Sequence, residues 1–333
     1  NIAKILKVDP KEIYFTSGGT ESNNWAIRGA VEANKRNGNK IITTMVEHAS
    51  VKSPMKYLEN QGCEVTYLPV DEYGVVSIDA LKEAMSEDTI LVSIMYVNNE
   101  VGAIEPVEEI GKYIKSVNKN VIYHVDAIQA FGKLEIKPRK SNIDVLTVSG
   151  HKIHGPKGTG FMYLKKNAKV NPFILGGGQQ EGMRSGTENV PGIAGIGQAA
   201  KDCYDNLQEN VSKMTELKDY LIDSLQTIDG VTINSRKGAE GAPHVVSASF
   251  SGVRSEVLLH ALEDKGVYIS AGSACSSNKP AISETLKAMG IGKDLLGSTV
   301  RFSFCKDNTK EEIDYAVEQL KQMLPILRKY VRR

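Results

Sequence analysis

Cysteine is scarce in this chain. There are four, Cys63, Cys203, Cys275 and Cys305, among 333 residues, and no two form a C-x-x-C pair. That spacing excludes a disulfide framework and a ribbon-type zinc site, and it leaves free thiols that suit a reducing compartment. Long apolar runs are missing too, and no signal-peptide pattern precedes the first helical stretch. The expectation is therefore a cytoplasmic chain with no membrane partner. Charge of one sign is also lacking: 41 Lys and Arg face 40 Asp and Glu, for a formal net charge of +1. A molecule with so little net field gives no case for nucleic acid. Arg328, Lys329, Arg332 and Arg333 form a modest basic tail that reads as a solvated helix end. A start methionine is absent, and Asn1 opens directly into the helical pattern Ile2, Ile5, Leu6, as a fragment or processed form would.

What is present is ordinary globular material, 41% apolar, and long enough for two packed units. Short apolar runs alternate with helical stretches from Lys4 to about Leu207. The strand-like runs are 13–15, 40–43, 64–68, 90–94, 121–125, 145–148 and 160–164, with helical patterns such as 107–116 between them. This rhythm predicts a large α/β domain over 1–207 with a mainly parallel sheet covered on both faces. Ligands of such sheets gather at the carboxyl ends of the strands. A long helical stretch over 193–228, broken at most once, leads into a smaller α+β domain over 208–333. Its strands are expected at 245–249, 267–270 and 300–304, its helices at 255–265 and 283–289, and a last helix after Thr309.

Four strand ends carry chemistry. Ser149-Gly150-His151-Lys152 follows an apolar strand and runs into a Gly-rich turn, where a desolvated lysine amine can form a Schiff base. Alone, Lys152 reads as a surface lysine. Upstream, Asp126 in Val125-Asp126-Ala127-Ile128-Gln129 is placed to keep a pyridinium nitrogen protonated, or simply to cap the next helix. Ser17-Gly18-Gly19-Thr20-Glu21-Ser22 joins a strand to a helix, and its bare amides suit a phosphate. His48 in Glu47-His48 supplies an imidazole able to stack on an aromatic ring. Together these are a phosphate cradle, a ring face, a ring-nitrogen partner and an imine-forming amine, the four parts of a pyridoxal 5'-phosphate site.

With these residues in view, the chain resembles a cysteine desulfurase of the NifS/IscS type, in the class V aminotransferase-like group of fold-type I pyridoxal-phosphate enzymes. The resemblance covers essentially the whole chain. It rests on Phe15-Thr16-Ser17-Gly18-Gly19-Thr20-Glu21-Ser22-Asn23-Asn24, Val97-Asn98-Asn99-Glu100-Val101-Gly102, His124-Val125-Asp126-Ala127, Ser149-Gly150-His151-Lys152, Arg184-Ser185-Gly186-Thr187 and Ser273-Ala274-Cys275. It implies that Lys152 holds the cofactor covalently, with Asp126 at the ring nitrogen, Gln129 at the ring hydroxyl and His48 over the ring. It further implies that Gly19, Thr20, Ser149 and His151 bind the phosphate. Thr187 would reach the phosphate of a partner subunit, so a homodimer is expected. Asn99 and Arg301 would hold the substrate carboxylate, a task for which the planar guanidinium is suited; from the sequence alone Arg301 is an exposed strand-end charge. Cys275, between small residues and Ser276-Ser277-Asn278, would accept sulfur from L-cysteine as a persulfide and pass it to an acceptor protein, an iron–sulfur scaffold or a tRNA-thiolation enzyme. No metal is implied. The Leu-Asp-Asn-Ala-Ala-Thr-Thr segment with which family members begin is absent here. Other activities of the same fold, selenocysteine lyase or aminotransferase, are the alternatives, and a catalytically silent sulfur-transfer scaffold is a third should that absence be genuine.

Overall fold

The computed structural model describes residues 1–271 and 282–330. The chain divides into two compact units. The first comprises Asn1–Pro69, Val76–Val97 and Glu105–Leu207. The second comprises Val70–Val75, Asn98–Ile104 and the chain from Gln208 onward.

The first unit holds strands β1 (Ile13–Thr16), β2 (Lys40–Thr44), β3 (Glu64–Leu68), β4 (Thr89–Met95), β5 (Ile122–Asp126), β6 (Val145–Ser149) and β7 (Gly160–Leu164). Its helices are α1 (Ile2–Leu6), α2 (Gly19–Asn34), α3 (Ala49–Asn60), α4 (Ile78–Ala84), α5 (Val107–Val117) and α6 (Val190–Asp205). The strands form one sheet in the order β1-β7-β6-β5-β4-β2-β3. Pairings β3–β2, β2–β4, β4–β5 and β5–β6 are parallel, and β7 runs antiparallel to both β6 and β1. The sheet is thus mainly parallel, as the alternation predicts. Strands β4, β5 and β6 are buried along their whole length, as expected when helices cover both faces. Helix α5 shows why its residues fold locally. Val107, Ile110 and Ile114 make one buried stripe, Glu108 and Glu109 sit at the positive end of its dipole, and Lys115 at the negative end.

The topology sets the site. From β2 the chain goes to β3 on one side, then to β4, β5 and β6 on the other, so the carboxyl ends of β2 and β4 flank a switch point. Because β7 reverses twice over, β1 points the same way as β6. Thr16 and Ser149 both pair with Gly160, which brings the carboxyl ends of β1 and β6 into one row.

The second unit holds α7 (Leu207–Gln226), β8 (Val231–Ile233), β9 (Val245–Phe250), α8 (Ser255–Glu263), β10 (Ser270–Ala271), α9 (Glu284–Ala288), α10 (Lys293–Leu296), β11 (Thr299–Ser303) and α11 (Lys310–Leu327). Its strands form an antiparallel sheet in the order β10-β11-β9-β8. The helical stretch breaks once, at Asn206, between α6 and α7, within the expectation of at most one break. Two details differ from the sequence expectation. The strand expected over 267–270 is only Ser270–Ala271, because Val267 and Ile269 pack into the unit's core as isolated apolar contacts without a ladder partner. The short edge strand β8 after Gly230 has no alternating pattern long enough to announce it. Helix α11 starts on a capping box, in which the Thr309 hydroxyl accepts from Glu312 N–H and Glu312 reaches back to Thr309 N–H.

Candidate cofactor site

The cradle comes first. Gly18 has φ +147°, a conformation that disfavours a side chain, and no side chain caps the N-terminus of α2. The first-turn amides of a 16-residue helix are therefore presented at its positive end, where a phosphate binds best. A Cβ at position 19 would lie 2.2 Å from Ile128 Cδ1, so the Ile128 side chain would have to shift to admit one. A Cβ on Gly160 would lie 2.6 Å from Gly18 Cα and 2.7 Å from Val148 O. Ser149 stands beside this turn, and its Oγ lies 2.8 Å from His151 Nδ1. Partial burial and the charges of Lys152 and Lys157 hold the His151 imidazole below its ordinary pKa. Glu21 in the first turn of α2 makes a two-pronged pair with Arg184, Nε–Oε1 2.8 Å and Nη2–Oε2 3.1 Å. Burial pushes its carboxyl up, but the Arg184 guanidinium and Ser17 outweigh that and hold it below the usual range. The pair docks the Arg184–Thr187 turn near the cradle, and Ser17, Thr159, Arg184 and Thr187 line a cleft of about 210 Å³.

The ring side is built from β5 and from the turn after β2. Asp126 ends β5 and is buried; its Oδ1 accepts the Ile128 N–H at 3.0 Å and its Oδ2 accepts from Asn23 Nδ2 at 2.7 Å. Burial raises its pKa, and the Ile128 amide, Asn23 and His48 pull it back. A buried carboxylate of this kind fits a protonated pyridine nitrogen, whose positive charge would favour the ionised form. His48 is half-buried and caps α3, with Nδ1 accepting the Ser50 N–H at 3.1 Å. Gln129 is half-buried on the turn after β5. Lys152 lies on the 3-10 turn 150–153 that leaves β6, its carbonyl bound by Lys133 Nζ at 3.0 Å. Lys152 is exposed on this turn.

In the second unit, Asn99 and Arg301 are brought together across 202 positions. Arg301 Nη1 donates to the Asn99 carbonyl at 2.7 Å and Nη2 to Ser270 Oγ at 3.2 Å. The contact to Asn99 is through its backbone, so the Asn99 amide is not spent on it. Cys275 lies outside the described residues. Asn23, Glu47, Ser50 and Thr147 were given no role by the sequence. Each is buried and polar: Asn23 and Thr147 neighbour Asp126, Ser50 bonds to His48, and Glu47 precedes His48 in the chain. The signal for Asn23 was its place inside the Gly-Gly-Thr-Glu-Ser-Asn run, two residues past the first turn of α2.

A sheet that delivers an anion cradle, a buried aspartate and a lysine-bearing turn to one edge defines a pyridoxal-phosphate enzyme of fold type I. Comparison with known proteins agrees and is more specific. Residues 1–316 match the family described as Aminotransferase class-V, and the chain belongs to that family. It is similar to proteins named cysteine desulfurase IscS. The one from Clostridium botulinum strain Hall is 42% identical over 97% of this chain and 81% of its own length. The one from Methanosarcina thermophila is 43% identical over 98% of this chain and 80% of its own. A solved structure described as a NifS-like protein superposes with a TM-score of 0.91 at 40% identity, covering 98% of this chain and 86% of that one. A NifS-like protein from Rickettsia africae gives a TM-score of 0.85 at 30% identity, over 97% of this chain and 86% of its own.

Proposed function

We propose that this chain is a cysteine desulfurase that takes sulfur from L-cysteine, releases L-alanine and holds the sulfur as a persulfide on Cys275 for an acceptor protein. The observation that carries the reading is the convergence of Gly19, Asp126, Ser149 and Lys152 at one sheet edge. The similarity to cysteine desulfurases over nearly the whole chain selects the reaction.

When bound, pyridoxal phosphate supplies an electron sink for negative charge at the substrate Cα. Gly19, Thr20, Ser149 and His151 hold its phosphate, and Thr187 of a second copy completes that site in a homodimer. Asp126 would hold a proton on the ring nitrogen, Gln129 would serve the ring hydroxyl and His48 would serve the ring face. Lys152 would anchor the cofactor, and its free amine would take the substrate Cα proton as general base. Asn99 and Arg301 orient the substrate carboxylate. Cys275, as thiolate, forms the S–S bond to the substrate sulfur while the substrate Cβ–S bond breaks. A proton then replaces sulfur on Cβ, which gives alanine. We place this chemistry in the cytoplasm, with an iron–sulfur scaffold or a tRNA-thiolation enzyme as acceptor. Among the described residues no helix is long and apolar enough to cross a membrane.

Borohydride reduction of the loaded protein followed by peptide mapping tests the anchor. The expected adduct is on Lys152, and Lys152→Ala should carry none. An adduct on any other lysine overturns the assignment.

A further inference from the structure

Beneath the ring-facing residues runs a chain of buried hydrogen bonds whose branch point, Asn23, is fully buried and has no part in the reading above. Its direction follows from groups whose roles are fixed. The Ser50 backbone N–H donates to His48 Nδ1, so in the neutral ring the proton sits on Nε2. Ser50 Oγ, 2.8 Å from the same Nδ1, therefore donates its hydroxyl hydrogen there. That oxygen accepts from Asn23 Nδ2 at 2.9 Å, and the other hydrogen of the same NH2 goes to Asp126 Oδ2 at 2.7 Å. Asn23 Oδ1 accepts the Thr147 hydroxyl at 2.5 Å. Thr147 Oγ1 then accepts from His124 Nε2 at 3.3 Å, and His124 Nδ1 accepts the Ser93 hydroxyl at 2.8 Å. The orientation of the Asn23 amide is not arbitrary, because a flipped amide would set oxygen against the Asp126 carboxylate. Strand register supplies the frame: Ser93 pairs with His124, and Asp126 with Thr147.

We propose that Asn23 is a positioning residue: it aims Asp126 at the cofactor ring and keeps it ready to hold a positive charge, and through Ser50 it ties that carboxyl to His48. The proposal rests on the reading that Asp126 and His48 meet the ring. Asn23 spends both amide hydrogens on this, so no other side chain can replace one arm without losing the other. The ionisable groups around Asp126 are Glu47 and His48, from the turn between β2 and α3, and His124 on its own strand. Burial drives the carboxyl toward its neutral form, and the Asn23 donor is one of the groups that oppose this.

The test is NMR on the full chain, cofactor-stripped, with carbon-13 in Asp carboxyls and nitrogen-15 in His, beside the pH profile of visible absorbance of the loaded protein. Asn23→Asp replaces the donor by a second carboxyl and should raise the Asp126 midpoint by about one pH unit or more. Asn23→Leu, similar in size and without polar atoms, should raise it as well and carries the test should the acidic variant not fold. Ser50→Ala should shift the His48 Nδ1 resonance and leave the Asp126 midpoint in place. An unchanged Asp126 midpoint in the Asn23 variants overturns the proposal, whatever their melting temperatures. A raised midpoint with a shifted absorbance profile supports it. A raised midpoint with an unmoved profile upholds the Asn23–Asp126 link and removes the ring from Asp126, which separates this inference from the function on which it rests.

Discussion

At the residue scale the least expected group is Glu47. Its Oε1 accepts from Thr44 Oγ1 and from Met95 N, both at 2.9 Å, and the side chain is buried. Burial pushes its carboxyl up to about 8, with the Asp126 and Glu105 charges adding to the rise and the Met95 and Thr44 bonds opposing it. The sign of the effect on stability follows. Below 4.5 both the folded and unfolded states hold the proton; between 4.5 and about 8 only the folded state does, so stability falls as pH rises through that window. Glu47→Gln removes this cost. Its stability advantage over the unmodified chain should grow by about 3 kcal/mol between pH 5 and pH 8. Urea unfolding followed by Trp25, the single tryptophan and buried on α2, measures it; an equal gap at both pH values would show that Glu47 is ionised throughout. His124 acts in the opposite sense. Burial holds it down at about 3, so it costs stability as pH falls below the ordinary histidine value of 6.5. The other residue-scale expectation concerns Cys275. Cys275→Ala should still load cofactor and still change its spectrum with L-cysteine, because those steps are proposed to use Lys152 and Asp126. Alanine release should drop at least about a hundredfold, since water does not replace a positioned thiolate. Near-normal alanine production would put the lyase or aminotransferase alternatives ahead.

At the scale of elements, the cradle depends on backbone closeness as much as on side chains. Gly160 opens β7 between the ends of β1 and β6, and Gly18 and Val148 leave no room for a Cβ there. Both obstacles are backbone, so neither can swing aside. Gly160→Ala should cost about 3 kcal/mol and loosen the cofactor's phosphate, read as a lower melting temperature and faster cofactor dissociation. Gly158, two residues earlier, meets nothing within 4 Å, although its φ is +73°. Gly158→Ala should cost about 1 kcal/mol, from backbone strain alone. If the two variants behaved alike, the close approach of β7 to the cradle would not matter. Element identity was legible where pattern is long: β4, β5 and β6 as continuous apolar runs, α5 as an amphipathic stripe. It was not legible at β8, three residues long, and was misplaced at β10, where the expected 267–270 shares only Ser270 with the two-residue strand, because a strand that short is defined by its partner and not by its own composition.

At the scale of the whole molecule, the expectation is a homodimer. Thr187 is exposed on a turn anchored by the Arg184–Glu21 pair. Sedimentation of the loaded protein at micromolar concentration should give twice the 36.3 kDa chain mass. A monomer with full cofactor occupancy would contradict the shared phosphate site. The two compact units also divide the named residues. The residues proposed for the cofactor lie in the first unit, while Asn99 and Arg301 lie in the second, which takes in the short excursion 98–104.

The sequence by itself determined the alternation that makes a mainly parallel sheet, and it marked Gly19, His48, Asp126 and Lys152 at strand ends. Both depend on near neighbours in the chain: strand and helix periods span a few residues, and turn chemistry sits in adjacent positions. Tertiary structure alone decided which strands are neighbours and in what register. That register sets Ser93 beside His124 and Asp126 beside Thr147, and it brings Asn23 against Asp126 from 103 residues away. Hydrogen-bond direction, burial and the protonation of Glu47 follow from those meetings. They are properties of groups that share a space and not a stretch of chain, so no local pattern could carry them.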